Sequence, residues 1–170
     1  MFFGVYMNEF MNAAIREARR AARIGEVPIG AVIVKDGEII ARAYNLRERK
    51  KNALCHAEII AINKACRHLG DWRLDGCELY VTLEPCAMCA GAIIQSRIKS
   101  VYFGASDPKG GAVISVARLF DSDGFCHKVE YFGGIEEERC SSLLTTFFKK
   151  LRKRKKRRKN WNKIFKNHKN

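Results

Sequence analysis

No stretch of the 170-residue sequence approaches the roughly 18 consecutive apolar residues of a membrane-spanning helix, and the opening MFFGVY lacks the basic region and length of a secretory signal. These absences point to a cytoplasmic protein with no membrane span. No internal repeat is found. Acidic residues are missing from 149–170, which hold 13 of the 32 Lys and Arg; residues 1–148 set the other 19 against all 18 Asp and Glu, so the net charge of +14 falls to +1 there. The basic excess belongs to a tail on a nearly neutral domain, and a tail of that sign seeks phosphate on nucleic acid or a membrane surface. The cysteines do not pair off either: there are seven, at 55, 66, 77, 86, 89, 126 and 140. An odd count without an export signal argues against a disulfide framework and for thiolate chemistry, either metal binding or nucleophilic catalysis. With 47% hydrophobic residues the chain can bury one core. We assign residues 1–151 to that domain and 152–170 to the basic tail; residues 1–6 read as an extension or upstream start ahead of a more ordinary N-terminus at Met7.

Residues 8–24 space Met11, Ala14, Ile15, Ala18 and Ala21 as one face of an amphipathic helix that Gly25 ends. Ile29 to Val34 and Ile39 to Tyr44 are β-rich runs joined through Asp36-Gly37, the pattern of a hairpin. Asn45 to Ala53 reads as a polar, basic loop. Helical spacing returns over Ala57 to Leu69, and Cys77 to Leu83 reads as a short buried strand stopped by Glu84-Pro85. Ala87 to Ile98 is a helix so apolar that it is either buried or an interface. Lys99 to Gly104 is the next strand, followed by a Gly-rich loop at Asp107 to Ala112 and a short helical piece at Ser115 to Phe120. Lys128 to Phe132 is the fifth strand, and from Ile135 a last helix runs into the basic segment. Strands interleaved with helices predict an α/β domain with its sheet covered on both faces, the first strand pair antiparallel and the later strands parallel.

The chemistry-bearing residues are concentrated in His56-Ala57-Glu58, opening one helix, and Pro85-Cys86-Ala87-Met88-Cys89, opening another. Cysteines three apart share a helix face, and Pro85 suits the first helical turn, where its missing N–H costs nothing. The positive end of that helix favours thiolate over thiol. One imidazole and two thiolates suit Zn²⁺ at roughly 2.0 to 2.3 Å and leave a fourth position for water, which is the arrangement of a catalytic site. Two plainer readings stand beside it: a closed structural site completed by Cys55, Cys66 or Cys77, and a thioredoxin-like dithiol pair at Cys86 and Cys89, which leaves His56 and Glu58 without work. Glu58 complements the helix dipole on position alone. Beside a ligand set whose two thiolates acidify bound water weakly, it becomes the base that takes the water's proton.

H-A-E followed by P-C-x-x-C resembles the signature of the zinc-dependent nucleobase deaminases. Longer stretches extend the similarity: Glu26 to Val34, Asn45 at the end of the second strand, Thr82 to Ala92, Ser96-Arg97-Ile98 and Phe103-Gly104-Ala105. Over about residues 8–151 the chain is similar to the bacterial tRNA-specific adenosine deaminases. The resemblance implies a three-layer α/β/α cytidine-deaminase-like fold on a five-stranded mixed sheet, a homodimer, and one Zn²⁺ per subunit held by His56, Cys86 and Cys89. It further implies Glu58 as proton shuttle, Asn45 as a hydrogen-bonding partner of the substrate nucleoside, and Val27 and Ile29 as apolar pocket wall. The expected substrate is the anticodon stem-loop of a tRNA, an arginine tRNA in this branch, whose wobble adenosine becomes inosine with release of ammonia. By itself Asn45 reads as a turn residue capping the end of the hairpin, and the resemblance is what favours the substrate role. Gly110 and Gly111, and the bases Arg47, Arg49, Lys50 and Lys51, are candidate RNA contacts that also fit a surface turn and solvated charge. The rival functions are a small-molecule deaminase acting on cytosine, guanine or cytidine, and a non-catalytic zinc module that binds RNA through its tail.

Overall fold

The computed structural model describes the backbone of residues 3–167 and the side chains of residues 8–158; residues 1–2 of the expected extension and 168–170 of the tail lie outside them. Helix α1 (Phe3–Arg23) buries Met11, Ala14, Ile15, Ala18 and Ala21. It ends in a Schellman motif: Gly25 takes φ +83°, the Glu26 N–H donates to the Ala21 carbonyl at 3.0 Å and the Gly25 N–H to the Ala22 carbonyl at 3.1 Å. That turn drives Glu26 inward and starts strand β1 (Gly30–Lys35). Gly30 has no room for a side chain, because a Cβ there would run into the backbone of Ala14 and Ala18. Asp36 and Gly37, both at positive φ (50° and 79°), close the expected hairpin onto β2 (Glu38–Tyr44).

The chain continues through α2 (Arg47–Lys50), α3 (Ala57–Leu69), β3 (Glu78–Leu83), α4 (Ala87–Gln95), β4 (Ser100–Ala105), a 3₁₀ turn (Leu119–Asp121), β5 (Glu130–Phe132) and α5 (Glu137–Asn167). The five strands make one mixed sheet in the order β2-β1-β3-β4-β5, antiparallel across β2-β1-β3 and parallel across β3-β4-β5. On one face α1 and α5 pack Phe10, Ala13 and Cys140 against Val32, Val34, Tyr80, Tyr102 and Ala105. On the other, α3 and α4 pack Ala57, Ala61, Ala65, Ala90 and Ile93 against Ala31, Ile33, Leu79, Val81, Val101 and Phe103. The central strands are buried on both faces, which is why their sequences read as nearly continuous apolar runs. This is the expected three-layer α/β/α arrangement. Among the described residues no helix is long and apolar enough to cross a membrane.

Four expectations need correction. The polar segment after Asn45 is not all loop, since Arg47–Lys50 forms one helical turn. The helical piece expected over Ser115 to Phe120 is a 3₁₀ turn displaced to Leu119–Asp121. Helix α4 stops at Gln95 instead of Ile98, because Arg97 is left-handed (φ 62°) and turns the chain into β4. Pro85 lies outside α4: Cys86 is the N-cap, so the proline precedes the cap, and its carbonyl accepts a 2.8 Å hydrogen bond from the Ala112 N–H. Helix α4 itself is half interior: Cys89, Ala90, Ile93 and Ile94 are buried, while Ala87 and Gln95 are exposed and Met88, Gly91 and Ala92 half-buried.

The pairing register gathers the chemistry at one sheet edge. Gly30 pairs with Tyr44, Ala31 with Val81, and Leu83 with Ala105. The start of β1 and the ends of β2, β3 and β4 therefore emerge together, followed by Asn45, by Cys86 and by the 107–115 loop. Helix α5 lies beside α1, with Arg139 Nη1 donating to Asn12 Oδ1 at 2.7 Å and Thr146 and Phe147 beside Ala22. It continues for 31 residues, about 46 Å at 1.5 Å per residue, with Arg152 to Arg158 exposed.

Candidate active site

His56 and Cys86 are both N-cap residues, of α3 and α4, and neither makes a side-chain cap to its own helix. Their extended backbones (φ −74° with ψ 154° and 172°) turn the side chains out of the helices and toward each other. Cys89, one turn into α4, joins them. His56 Nδ1 lies 3.7 Å from Cys86 Sγ and 3.5 Å from Cys89 Sγ. Tetrahedral coordination with Zn–N near 2.0 Å and Zn–S near 2.3 Å separates N and S by about 3.6 Å, so the triangle already has the dimensions of a zinc site. Among the described residues these three are the one group of His, Cys, Asp or Glu whose ligand atoms all lie within 4.8 Å of one another. Among the described residues no fourth protein ligand closes the set. Cys55, Cys66 and Cys77, the candidates for a fourth ligand, all lie outside that group, and Cys66 Sγ donates instead to the Trp72 carbonyl.

The electrostatics fit the same ion. Hydrogen bonding from Cys89, helped by His56, pushes the Cys86 thiol down to about 4 against its burial. Cys89, hydrogen-bonded to Cys86 and buried, is pushed up. The hydrogen bond to Cys86 raises His56. A dication between them is what lets both sulfurs be thiolates.

Glu58, second in α3, is 4% exposed and its Oε2 has no hydrogen-bond partner. Burial raises its carboxyl, opposed first by a backbone hydrogen bond and then by the nearby His56. It stands outside the ligand triangle yet against it, where a proton carrier is useful. A His at the N-cap and a Glu at the second helical position thus come to face one another, which residues two apart inside a regular helix would not do.

Asn45 is 4% exposed, with its N–H on the Ile29 carbonyl at 3.0 Å. Its neighbour Leu46 donates to the Cys55 carbonyl at 3.0 Å, placing Asn45 one residue from the segment that presents His56. Val27 and Ile29 flank Pro28 in a tight turn closed by a 2.8 Å bond from the Ile29 N–H to the Val27 carbonyl, and both are half-buried. Arg47, Arg49, Lys50 and Lys51 are exposed on and after α2.

Two carboxylates that sequence reasoning gave no role hold this frame. Glu84, 2% exposed, accepts from the N–H groups of Asp107 (2.9 Å), Val113 (3.1 Å), Ile114 (2.8 Å) and Ser115 (2.9 Å) and from the Ser115 hydroxyl. It anchors the glycine-rich loop, and Gly111 is required because a Cβ there would overlap the Glu84 carboxylate. The loop has a structural task. Glu26, fully buried, accepts from Asn45 Nδ2 at 3.1 Å and from the N–H groups of Glu48 at 3.2 Å and Arg49 at 2.6 Å. The available signal was a charged residue next to strongly apolar strands, which must be partnered if buried.

A three-layer mixed sheet that presents a His-Cys-Cys triangle and a buried glutamate at the openings of two helices has the plan of a nucleobase deaminase. The family model for MafB19-like deaminases matches residues 6–152. The chain is 53% identical to the tRNA-specific adenosine deaminase of Bacillus subtilis over 135 residues, covering 79% of this chain and 84% of the relative. It is 52% identical to that of Aquifex aeolicus over 122 residues, 72% of this chain and 81% of the relative. Among solved structures it is similar to one from a study of A-to-I editing by tRNA:A34 deaminases at the wobble position of transfer RNA, with 48% identity and a TM-score of 0.78, covering 80% of this chain and 99% of that one. The chain belongs to this deaminase family, in its tRNA-specific adenosine deaminase branch.

Proposed function

We propose that this protein deaminates the wobble adenosine of a tRNA to inosine, in an arginine tRNA, as a cytoplasmic homodimer with one Zn²⁺ per subunit. In this reading residues 1–151 are the deaminase domain and 152–170 an appended RNA-binding tail. The observation that carries it is the zinc-sized triangle of His56, Cys86 and Cys89 set against a buried Glu58, in a chain about half identical to tRNA-specific adenosine deaminases. Zinc held by those three residues would supply Lewis-acid activation of the attacking water. Glu58 takes the proton that the water gives up as its oxygen bonds to C6 of adenine, and places that proton on N1. It then carries the second proton to the exocyclic amine. The C6–N bond breaks, ammonia leaves, and the oxygen retained on C6 makes inosine. Burial, which raises the Glu58 carboxyl, moves it in the direction a proton carrier needs. Val27 and Ile29 line the base pocket, and Asn45 orients the nucleoside.

The deciding experiment is inosine formation on an anticodon stem-loop RNA, run beside free adenosine, cytosine and guanine. Turnover on the stem-loop alone is expected. Turnover confined to a free base or nucleoside makes the protein a small-molecule deaminase, and zinc with RNA binding but no turnover makes it a non-catalytic module.

Two surfaces give further expectations. The outward side of α4, formed by Ala87, Met88, Gly91 and Ala92, is nearly free of polar groups and is the dimer contact in this reading. Sedimentation at micromolar concentration showing only a 19.4 kDa species would end that claim. The tail exposes Arg152 to Arg158 to solvent, so its bases should meet phosphates of the bound tRNA. Truncation after Leu151 should weaken tRNA binding at low salt and flatten the salt dependence by about 0.7 to 0.9 log units per lost contact, with turnover at saturation unchanged. An unaltered salt slope would detach the tail from the tRNA.

A further inference from the structure

We propose that Glu26 is a positioning residue for substrate capture: its buried carboxylate fixes the amide of Asn45 in one orientation and, with the same oxygens, holds the basic turn α2 beside it. This role rests on the reading of Asn45 as a substrate contact. A carboxylate only accepts hydrogen bonds. With Oε2 at 3.1 Å from Asn45 Nδ2, the amide nitrogen must face Glu26; a flipped amide would set oxygen against oxygen in a site fully closed to solvent. One N–H of Asn45 is thereby committed to the protein, and Oδ1 with the second N–H is left for the ligand.

The other acceptances explain why the carboxylate stays there. The N-cap of helix α2 is Leu46, which has no side-chain oxygen to cap it. The N–H groups of Glu48 and Arg49 are the donors such a start leaves free, and Glu26 takes both, at 3.2 Å and 2.6 Å. A cap that sequence neighbours do not supply thus arrives from about twenty residues upstream, delivered by the Schellman turn at Gly25. The negative charge also suits the positive end of the turn and the neighbouring Arg47, Arg49 and Lys50. One side chain consequently couples two parts of substrate capture, the amide that meets the nucleoside and the bases that would meet its phosphates.

The test is a double-mutant cycle on the zinc-loaded enzyme with an anticodon stem-loop RNA. Glu26→Gln is nearly isosteric, but its amide can donate, so it permits Asn45 to flip. It should raise KM roughly tenfold, the equivalent of one well-placed hydrogen bond to a substrate, while kcat and zinc content stay near wild type. Asn45→Ala should raise KM by itself, and Glu26→Gln added to Asn45→Ala should raise it little further. If Glu26→Gln folds poorly, Glu26→Asp, which keeps the charge and shortens the reach, takes its place in the same cycle. The proposal falls if the KM effects multiply as independent changes, or if the Glu26 variant lowers kcat or zinc content and leaves KM alone. An unchanged KM in Asn45→Ala instead refutes Asn45 as a substrate contact, a different failure visible in a different arm, and removes the positioning role with it.

Discussion

Glu58→Ala is expected to bind zinc and RNA as wild type does and to lose turnover by about 10² to 10⁴, the usual contribution of a general acid–base group. The expectation follows from where the carboxylate sits. It is outside the group of three ligand atoms, so removing it leaves the metal's donors intact. It is also buried with one oxygen unpartnered, and nothing in the fold depends on a bond from that atom. Burying such a group costs about 1 to 3 kcal/mol, so the variant should be no less stable than wild type. Glu58→Gln, which keeps the shape and discards the transferable proton, should be as inactive as Glu58→Ala. That pair of results separates proton transfer from packing, since an isosteric replacement would rescue a packing role. Residual turnover above about a tenth of wild type would mean that another group carries the protons.

What sequence could reveal of this site depended on how locally each part is built. His56-Ala57-Glu58 and Cys86 to Cys89 are legible because each needs only a helix start and a short spacing. The five strands are legible because alternation and apolar runs are local too, and Asp36-Gly37 announces its own turn. Glu26 was not legible as a cap, because its partners lie across a turn and a hairpin; in one dimension it is merely a charged residue after a glycine. The helical turn at Arg47–Lys50 escaped for the same reason, having no Ser, Thr, Asn or Asp at its N-cap. Glu84 read as a strand terminator beside Pro85, whereas its oxygens fold the loop from Asp107 to Ser115 around themselves. Pro85 read as the first helical residue because its chemistry allows that position. The structure instead pairs Cys86 with Gly111 in an isolated bridge, which leaves Pro85 ahead of the N-cap while the helix itself starts at Ala87, as the apolar run indicates. In each case a tertiary hydrogen bond outvoted a local preference.

Removal of the metal is expected to loosen the fold as well as abolish turnover, because the ligands join elements that otherwise meet only through packing. His56 comes from the start of α3 and the two cysteines from the start of α4, each helix set on the same face of the sheet. Zinc would clamp those two ends. At a free zinc concentration of about 1,000 times Kd, binding to the folded state alone adds about 4 kcal/mol. For a chain of this size each kcal/mol moves the melting temperature by about 2 to 4 °C, so a chelator should lower it by about 8 to 16 °C. Cys86→Ala, Cys89→Ser and His56→Ala should each melt lower than wild type, hold less zinc, and show little further response to chelator. The flattened response marks loss of the clamp, because a variant destabilised only by a packing defect would keep its chelator sensitivity. Full zinc retention in any of the three variants would remove that residue from the ligand set. A wild-type melting temperature unmoved by a chelator that demonstrably strips the metal would show that the helix ends are held by the core alone, through Ala57, Ala61, Ala90 and Ile93.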